Sequence, residues 1–470
     1  MSASTETAAE PARPPSVRQL DSESLKYARW QSAAWAIMFG AGENTLSLLG
    51  AFLKAPSLFF GLMSAIPQLV GPLTQIFAAG LMDRWPHRRT MVLIGVLGQS
   101  VAFVPLALIA FLSPEGATHW ILLSVLTLYF IAGHFSGPPW TSLISDLVPS
   151  SRRGVIFSQF GRISATLTLA SMLATAAVLW YSNKYDAEHK AWYFAGVFLV
   201  AGLARFVGFL LIARMEEPVF EPKPASAFTF WQFIRRARES NFVKFVLFAA
   251  FMNGSANISG PYFLPYCRYD LKFADWQWLV ISSSGTLATI LALLFWGKFA
   301  DRFGNKRTIA YSSLLIAIQP LNWLLSDNFY FLIGINSMAG VAWGGFNLAA
   351  GNYILEACSP PVRARCVAYY SMMIGAFVFM GSMLGGYLLK VLPRHLEIGG
   401  WQHDFSSTFM YLLWFSSIGR ALTALVFIPH FKELRDVHSF SLKEWFFENV
   451  QTRIAGGIRV LPFAGNDKDD

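Results

Sequence analysis

The sequence predicts an all-α integral membrane protein with about twelve transmembrane helices in two pseudo-symmetric six-helix bundles. Three observations carry this prediction. Of 470 residues, 54% are hydrophobic and only 14% charged, about half the charge of a soluble globular chain. Apolar runs of about 20 residues, each long enough to cross a bilayer's hydrocarbon core, recur along most of the chain. A charged phrase also appears twice, as LMDRWPHRRT from Leu81 to Thr90 and as DRFGNKRT from Asp301 to Thr308, each time closing such a run.

Residues 1–28 are Pro- and Ser-rich and mixed in charge. They lack the apolar stretch and cleavage site of a signal peptide and read as a disordered cytoplasmic tail. A first bundle, 29–214, holds spans at roughly 30–53, 57–82, 90–112, 120–147, 155–180 and 191–214. The polar segment 215–241 is a cytoplasmic linker with an amphipathic helix starting near Thr229. The second bundle, 242–429, holds spans at roughly 242–266, 275–299, 308–326, 329–357, 366–392 and 408–429. The tail 430–470 repeats the amphipathic helix, with Ser441 and Glu444 as a capping box. Both amphipathic helices are expected to lie on the membrane surface.

Loop charge sets the orientation. The even loops carry DRWPHRR, PSSRRG, RRARES, DRFGNKR and PPVRAR, whereas the odd loops are poorer or balanced. The positive-inside rule then places the even loops and both termini in the cytoplasm, in a plasma (inner) membrane. The net charge of +9 is therefore topology information, and no nucleic-acid partner is expected. Cys267, Cys358 and Cys366 lack metal-ligand spacing, so neither metal nor cofactor is expected. The expected assembly is a monomer in the lipid bilayer.

The halves repeat each other beyond the charged phrase. ISDLVPSSRRGVIFSQF aligns with ILEACSPPVRARCVAYY, setting Asp146 on Glu356 and Arg153 on Arg363. GLARFVGFLLIARMEEP aligns with SIGRALTALVFIPHFKE, setting Arg205 on Arg420; symmetry suggests scaffold or headgroup contacts for that pair. GKFADRFGNKR, Gly297 to Arg307, resembles the motif between the second and third helices of major facilitator superfamily transporters. The first copy departs from it, with Ala79 at the first Gly position and Pro86 at the second. The resemblance implies two six-helix bundles, a central cavity lined by the first, fourth, seventh and tenth helices, and alternating access. Within the superfamily the sequence looks most like a poorly characterised bacterial group.

Several residues are candidates for function. Asp83, Arg84, Arg88, Arg89, Asp301, Arg302, Lys306 and Arg307 sit at helix ends. With Asp146, Glu356, Arg153 and Arg363 they are expected to form a conformational latch made in the outward-open state; the plainer reading of the distal basic pairs is topology alone. Glu43 lies mid-span, where a charge costs at least about 2.5–3.5 kcal/mol. Ala36, Gly40, Glu43 or Asn44, and Ser47 share a helical stripe. A carboxyl that alternates between water and an apolar interior suits proton coupling, so Glu43 is the first candidate proton carrier and His134, before Gly137, Pro138 and Pro139, the second. Asn44, Trp140, Arg162, Asn253, Asn257 and Asn347 are candidates for the substrate cavity. Arg162 either snorkels to the surface or serves as an anion contact.

No phosphate-binding loop, nucleophile–base pairing or metal cluster stands out, so the chain is not read as an enzyme. The reading is a secondary active transporter of a small solute by alternating access, possible partners being that unnamed substrate and protons. The alternative is a non-transporting, transporter-like membrane sensor or assembly factor, which has no need to bury a carboxylate.

Overall fold

The computed structural model of the protein describes residues 17–85, 87–112, 118–148, 153–218, 232, 235, 240–358, 363–398, 401–404 and 406–435. Pro86, the expected amphipathic helix starting at Ser441 and, apart from the helical, exposed Gln232 and Arg235, the one starting at Thr229 lie outside the described residues.

The first half contains α1 (Val17–Ala41), α2 (Leu46–Phe52), α3 (Ser57–Arg84), α4 (Arg88–Leu112), α5 (Thr118–Leu147), α6 (Arg153–Tyr185) and α7 (Lys190–Ala213). The second contains α8 (Asn241–Asn257), α9 (Asp275–Phe303), α10 (Asn305–Ile318), α11 (Phe329–Ala357), α12 (Arg363–Val391) and α13 (Phe409–Phe427). Among the described residues, ten elements are long and apolar enough to cross a membrane. The other two of the twelve spans are interrupted. The first is split into α1 and α2, and the ninth turns from α10 into a 3₁₀ segment, Gln319–Leu324, where Pro320 removes a backbone donor. A short hairpin, β1 (His395–Ile398) with β2 (Trp401–Asp404), pairs His395 with Asp404 between the last two spans.

Two features differ from the sequence reading. α1 starts at Val17, inside the segment expected to be a disordered tail, and Ser24 on this extension accepts a hydrogen bond from the Glu216 amide at 3.0 Å. The first span is not one continuous helix but breaks at Gly42–Thr45.

The ends bearing Arg88, Asp146, Asp301 and Glu356 make up one face of the molecule, the basic face. The other end is the opposite face. The two halves are joined at the opposite face. One core cluster there combines Leu46, Phe59, Phe103 and Phe194 with Leu264 and Leu279 of the second half. The Tyr269 hydroxyl donates across to the Ala55 carbonyl at 3.3 Å. Lys190 pairs with Asp275, and Arg268 Nε lies 3.4 Å from the same carboxylate. Midway through the membrane α12 packs closely on α3: a side chain at Gly375 would run into the Gln68 carbonyl.

Toward the basic face the clusters separate. Val92, Leu143, Ile144 and Ile212 pack within the first half, while Phe245, Phe248, Tyr353 and Phe431 pack within the second. A side chain added at Gly80 or Gly297 would meet nothing within 4 Å. Among the described residues, the core joins the halves at the opposite face, whereas the clusters at the basic face each stay within one half.

Candidate functional site: paired cavities at broken helices

The first span breaks where glycine meets a crowded wall. A Cβ at Gly42 would lie 2.6 Å from the Phe103 ring and 2.7 Å from Ala201, so the chain approaches α4 and α7 only without one. A break frees carbonyls, which must be satisfied inside a membrane. The Asn44 amide donates to the Phe39 carbonyl at 2.9 Å and the Thr45 hydroxyl to that of Ala41 at 2.5 Å. Asn44 therefore serves the helix itself rather than the cavity wall.

Glu43, next to them in the chain, does line the cavity. Its carboxylate accepts a hydrogen bond from the fully buried Tyr129 hydroxyl at 2.7 Å, and the Arg205 guanidinium acts on it electrostatically. Arg205 is 4% exposed. Its Nε and Nη2 both donate to Gln99 Oε1, at 3.0 and 2.6 Å, and its Nη1 has no hydrogen-bond partner among the described residues. Glu43, Gln99, His134, Trp140 and Arg205 line one cavity of about 490 Å³ enclosed by α1 and α4–α7. His134 Nδ1 lies 2.9 Å from the Gln75 amide nitrogen of α3, a side-chain partner in place of a proline-freed carbonyl.

The second half repeats this plan. α8 stops at Asn257 and resumes as a 3₁₀ turn, Gly260–Tyr262, in which Pro261 withholds a backbone donor. Asn253 and Asn257 donate to the carbonyls of Ala249 and Asn253, each at 2.9 Å. Arg420, 3% exposed, donates to the carbonyls of Ile316 and Ala256 at 2.9 and 3.3 Å and to Ser259 Oγ at 3.4 Å. Gln319 Oε1 lies 3.5 Å away, the counterpart of Gln99. A cavity of about 270 Å³ lies beside the break, with Asn257, Gln319, Trp323 and Arg420 in its wall. Arg205 and Arg420, read from the sequence as scaffold or headgroup contacts, are both interior residues that line a cavity. Broken spans at matching positions in two repeats are the feature by which such bundles build binding sites near the bilayer midplane.

The remaining candidates fall elsewhere. Arg162 and Asn347 are exposed and line neither cavity; Asn253 also lies outside both walls. Arg88 is fully buried and binds Asp146 Oδ2 at 2.5 Å, Ser142 Oγ at 2.9 Å and the Pro218 carbonyl at 2.9 Å. The Arg89 amide donates to Glu217 at 3.0 Å. Its counterpart, the Lys306 amide, donates to Glu433 at 2.7 Å. Each amide opens its helix, so each Glu caps an N-terminus where backbone donors are otherwise orphaned. Glu356 pairs with Arg435 and accepts from Asn305 at 2.8 Å. Arg363 donates to the Leu355 carbonyl at 3.0 Å. Asp83, Arg84, Asp301 and Arg302 are exposed, with Asp301 3.9 Å from Arg435. Arg307 is half-buried, and the side chain of Arg153 lies outside the described residues. The contacts described for the expected latch residues each lie within one half.

Sequence reasoning missed Tyr129, Gln99, Gln75, Lys190, Asp275 and Arg435. Gln99 and Gln75 carried a visible signal, amides inside the apolar runs VLIGVLGQSVAF and LVGPLTQIFAAGL.

Comparison with known proteins agrees with this architecture. The profile of the Major Facilitator Superfamily matches residues 33–281 and 245–439. An uncharacterized transporter of Buchnera aphidicola is 23% identical over 50% of this chain and 55% of its own length. The protein ZINC INDUCED FACILITATOR 1 of Arabidopsis thaliana is 29% identical over 28% of this chain and 27% of its own. The match thus spans about half or less of these relatives. The crystal structure of the nucleoside transporter NupG superposes with a TM-score of 0.63 at 13% identity, covering 87% of this chain and all of that one. An inward-facing, unoccupied bacterial homolog of the human lysosomal transporter Spinster gives 0.61 at 16% identity, over 90% and 100%. Both likenesses concern the fold. With the family profile matched across both halves, the chain belongs to the Major Facilitator Superfamily.

Proposed function

We propose that the protein is a secondary active transporter that moves a small solute by alternating access, with Glu43 carrying a coupling proton. One observation carries the reading. A single carboxylate is set in the break of the first span, bonded by Tyr129 and lining one cavity with Arg205, in a chain whose two halves join at one face.

The chemistry follows from what protonation changes. An ionised carboxylate draws the Tyr129 hydroxyl and the Arg205 guanidinium toward it, charge-assisted contacts that a neutral acid holds more weakly. Proton uptake at Glu43 therefore loosens the ties among the first span, α5 and α7. A ligand shifts a conformational equilibrium only through such differential contacts. His134, in the same wall and held by Gln75, is the second proton-bearing group. The positive-inside rule assigns the basic face to the cytoplasm. On this reading the face where the halves separate opens to the cytoplasm, in a plasma (inner) membrane, with both termini cytoplasmic and the monomer as the working unit.

The test is a thermal-shift screen of metabolites at two pH values, since a ligand binding the folded state raises apparent stability. Uptake of each hit into proteoliposomes under an imposed pH gradient follows. Glu43→Gln should abolish proton-driven accumulation, and unchanged pH-driven uptake would refute the coupling role.

A further inference from the structure

We infer that the cavity of the second half binds a small organic monoanion with an apolar body, its charged group set against Arg420. The identification of this ligand as the transported solute rests on the transporter reading; the site itself rests on geometry.

The two halves bury the same guanidinium but not the same counter-charge. In the first half, Arg205 shares its cavity with the carboxylate of Glu43. In the second, Ala256 and Asn257 stand at the helix break, and every bond of Arg420 goes to a neutral acceptor. Among the described residues no carboxylate pairs with it, and its Nε has no partner. A buried cation without a counter-charge is strongly disfavoured. An incoming anion supplies at Arg420 what Glu43 supplies at Arg205.

A second observation comes from the same wall. Trp323, 2% exposed, holds its indole N–H without an acceptor. Guanidinium and indole are donors only, so one wall contains two buried donors that call for an acceptor-rich ligand. The rest of the lining fixes the remainder of the molecule. Trp278, Trp343 and Phe263 offer flat apolar surface, and Asn336 has its amide committed to the Ile281 carbonyl at 2.6 Å. A volume of about 270 Å³ limits the ligand to a small molecule. Arg420 is the one cationic side chain in the described wall, which matches a single negative charge and repels cations.

The test uses the purified full-length protein in detergent, with benzoate and indole-3-acetate as anionic probes and benzamide and indole-3-acetamide as their neutral counterparts. At least one anion should raise the apparent Tm with saturating dependence on concentration. Its amide should bind at least about tenfold more weakly. Arg420→Gln should remove the anion effect. Because Arg420 also holds the backbone at Ile316 and Ala256, Trp323→Phe is the second variant: it removes the indole N–H together with part of the ring packed on Phe263, leaves Arg420 in place, and should weaken anion binding several-fold and amide binding less. The proposal falls if neither anion stabilises the protein, if the amides match the anions, or if Trp323→Phe binds the anions as the wild type does. A probe that binds but is never carried into proteoliposomes overturns its identification as the transported solute and leaves the site standing. Flux of another solute without anion-dependent stabilisation does the reverse.

Discussion

Lys190→Ala removes one partner of the ion pair that joins the halves at the opposite face. Asp275 is 1% exposed, and the Lys190 side chain 12%. Breaking a buried pair on one side costs about 3–5 kcal/mol, because the remaining charge stays desolvated. Arg268, at 3.4 Å, still faces Asp275, so the lower end, about 3 kcal/mol, applies. In a state open on this face the carboxylate meets water and the penalty vanishes. The substitution therefore shifts the closed-to-open ratio by about two decades, taking a face closed about 99% of the time to about one half. Spin labels at Ala187→Cys and Lys272→Cys, both exposed and on different halves, report this by pulsed electron resonance, with little background from three buried native cysteines. A longer-distance population of that size is expected in Lys190→Ala. An unchanged distribution would mean that the ion pair does not hold this face shut.

Three further outcomes are expected. Tyr129→Phe deletes the 2.7 Å bond to Glu43 and should cost about 1–3 kcal/mol; the loss should shrink in a Glu43→Gln background, as read by apparent Tm in a double-mutant cycle. Gly340→Ala drives a Cβ into the Gly285 carbonyl and should lower stability by about 1–3 kcal/mol through overpacking of α9 on α11. Gly297→Ala, which meets open space, is its control by the same thermal assay. Asp301→Ala removes an exposed pairing at 3.9 Å, worth less than about 1 kcal/mol, so membrane insertion and Tm should hold while transport falls; full activity in vesicles would count against the latch.

Much of the fold was legible because the bilayer is a strict solvent. Run length fixes the spans and loop charge their direction, and both are written locally. The breaks were less legible, since Gly42 and the Gly260–Pro261 pair sit inside apolar stretches that read as continuous. Glu43 stood out through its cost in hydrocarbon, but Tyr129 is 86 residues away and resembles ordinary packing. The Asn stripe on α8 was visible by spacing, yet spacing does not show that Asn253 spends its amide on a carbonyl of its own helix. Internal symmetry led toward a scaffold role for Arg205 and Arg420. The same symmetry becomes informative once burial is known, because it isolates the missing carboxylate in the second half. The expected latch is defined by contacts that differ between two states, and in the described structure the contacts of its residues lie within one half.

The most direct test of alternating access compares the two faces in one sample type. Labels at Gly80→Cys and Lys298→Cys report the basic face, both positions being exposed, and the Ala187/Lys272 pair reports the opposite face. The account predicts anticorrelated distances in lipid: Lys190→Ala lengthens the opposite-face pair and shortens the basic-face pair by the same population. Opposite-face opening with the basic-face distribution unmoved would contradict it.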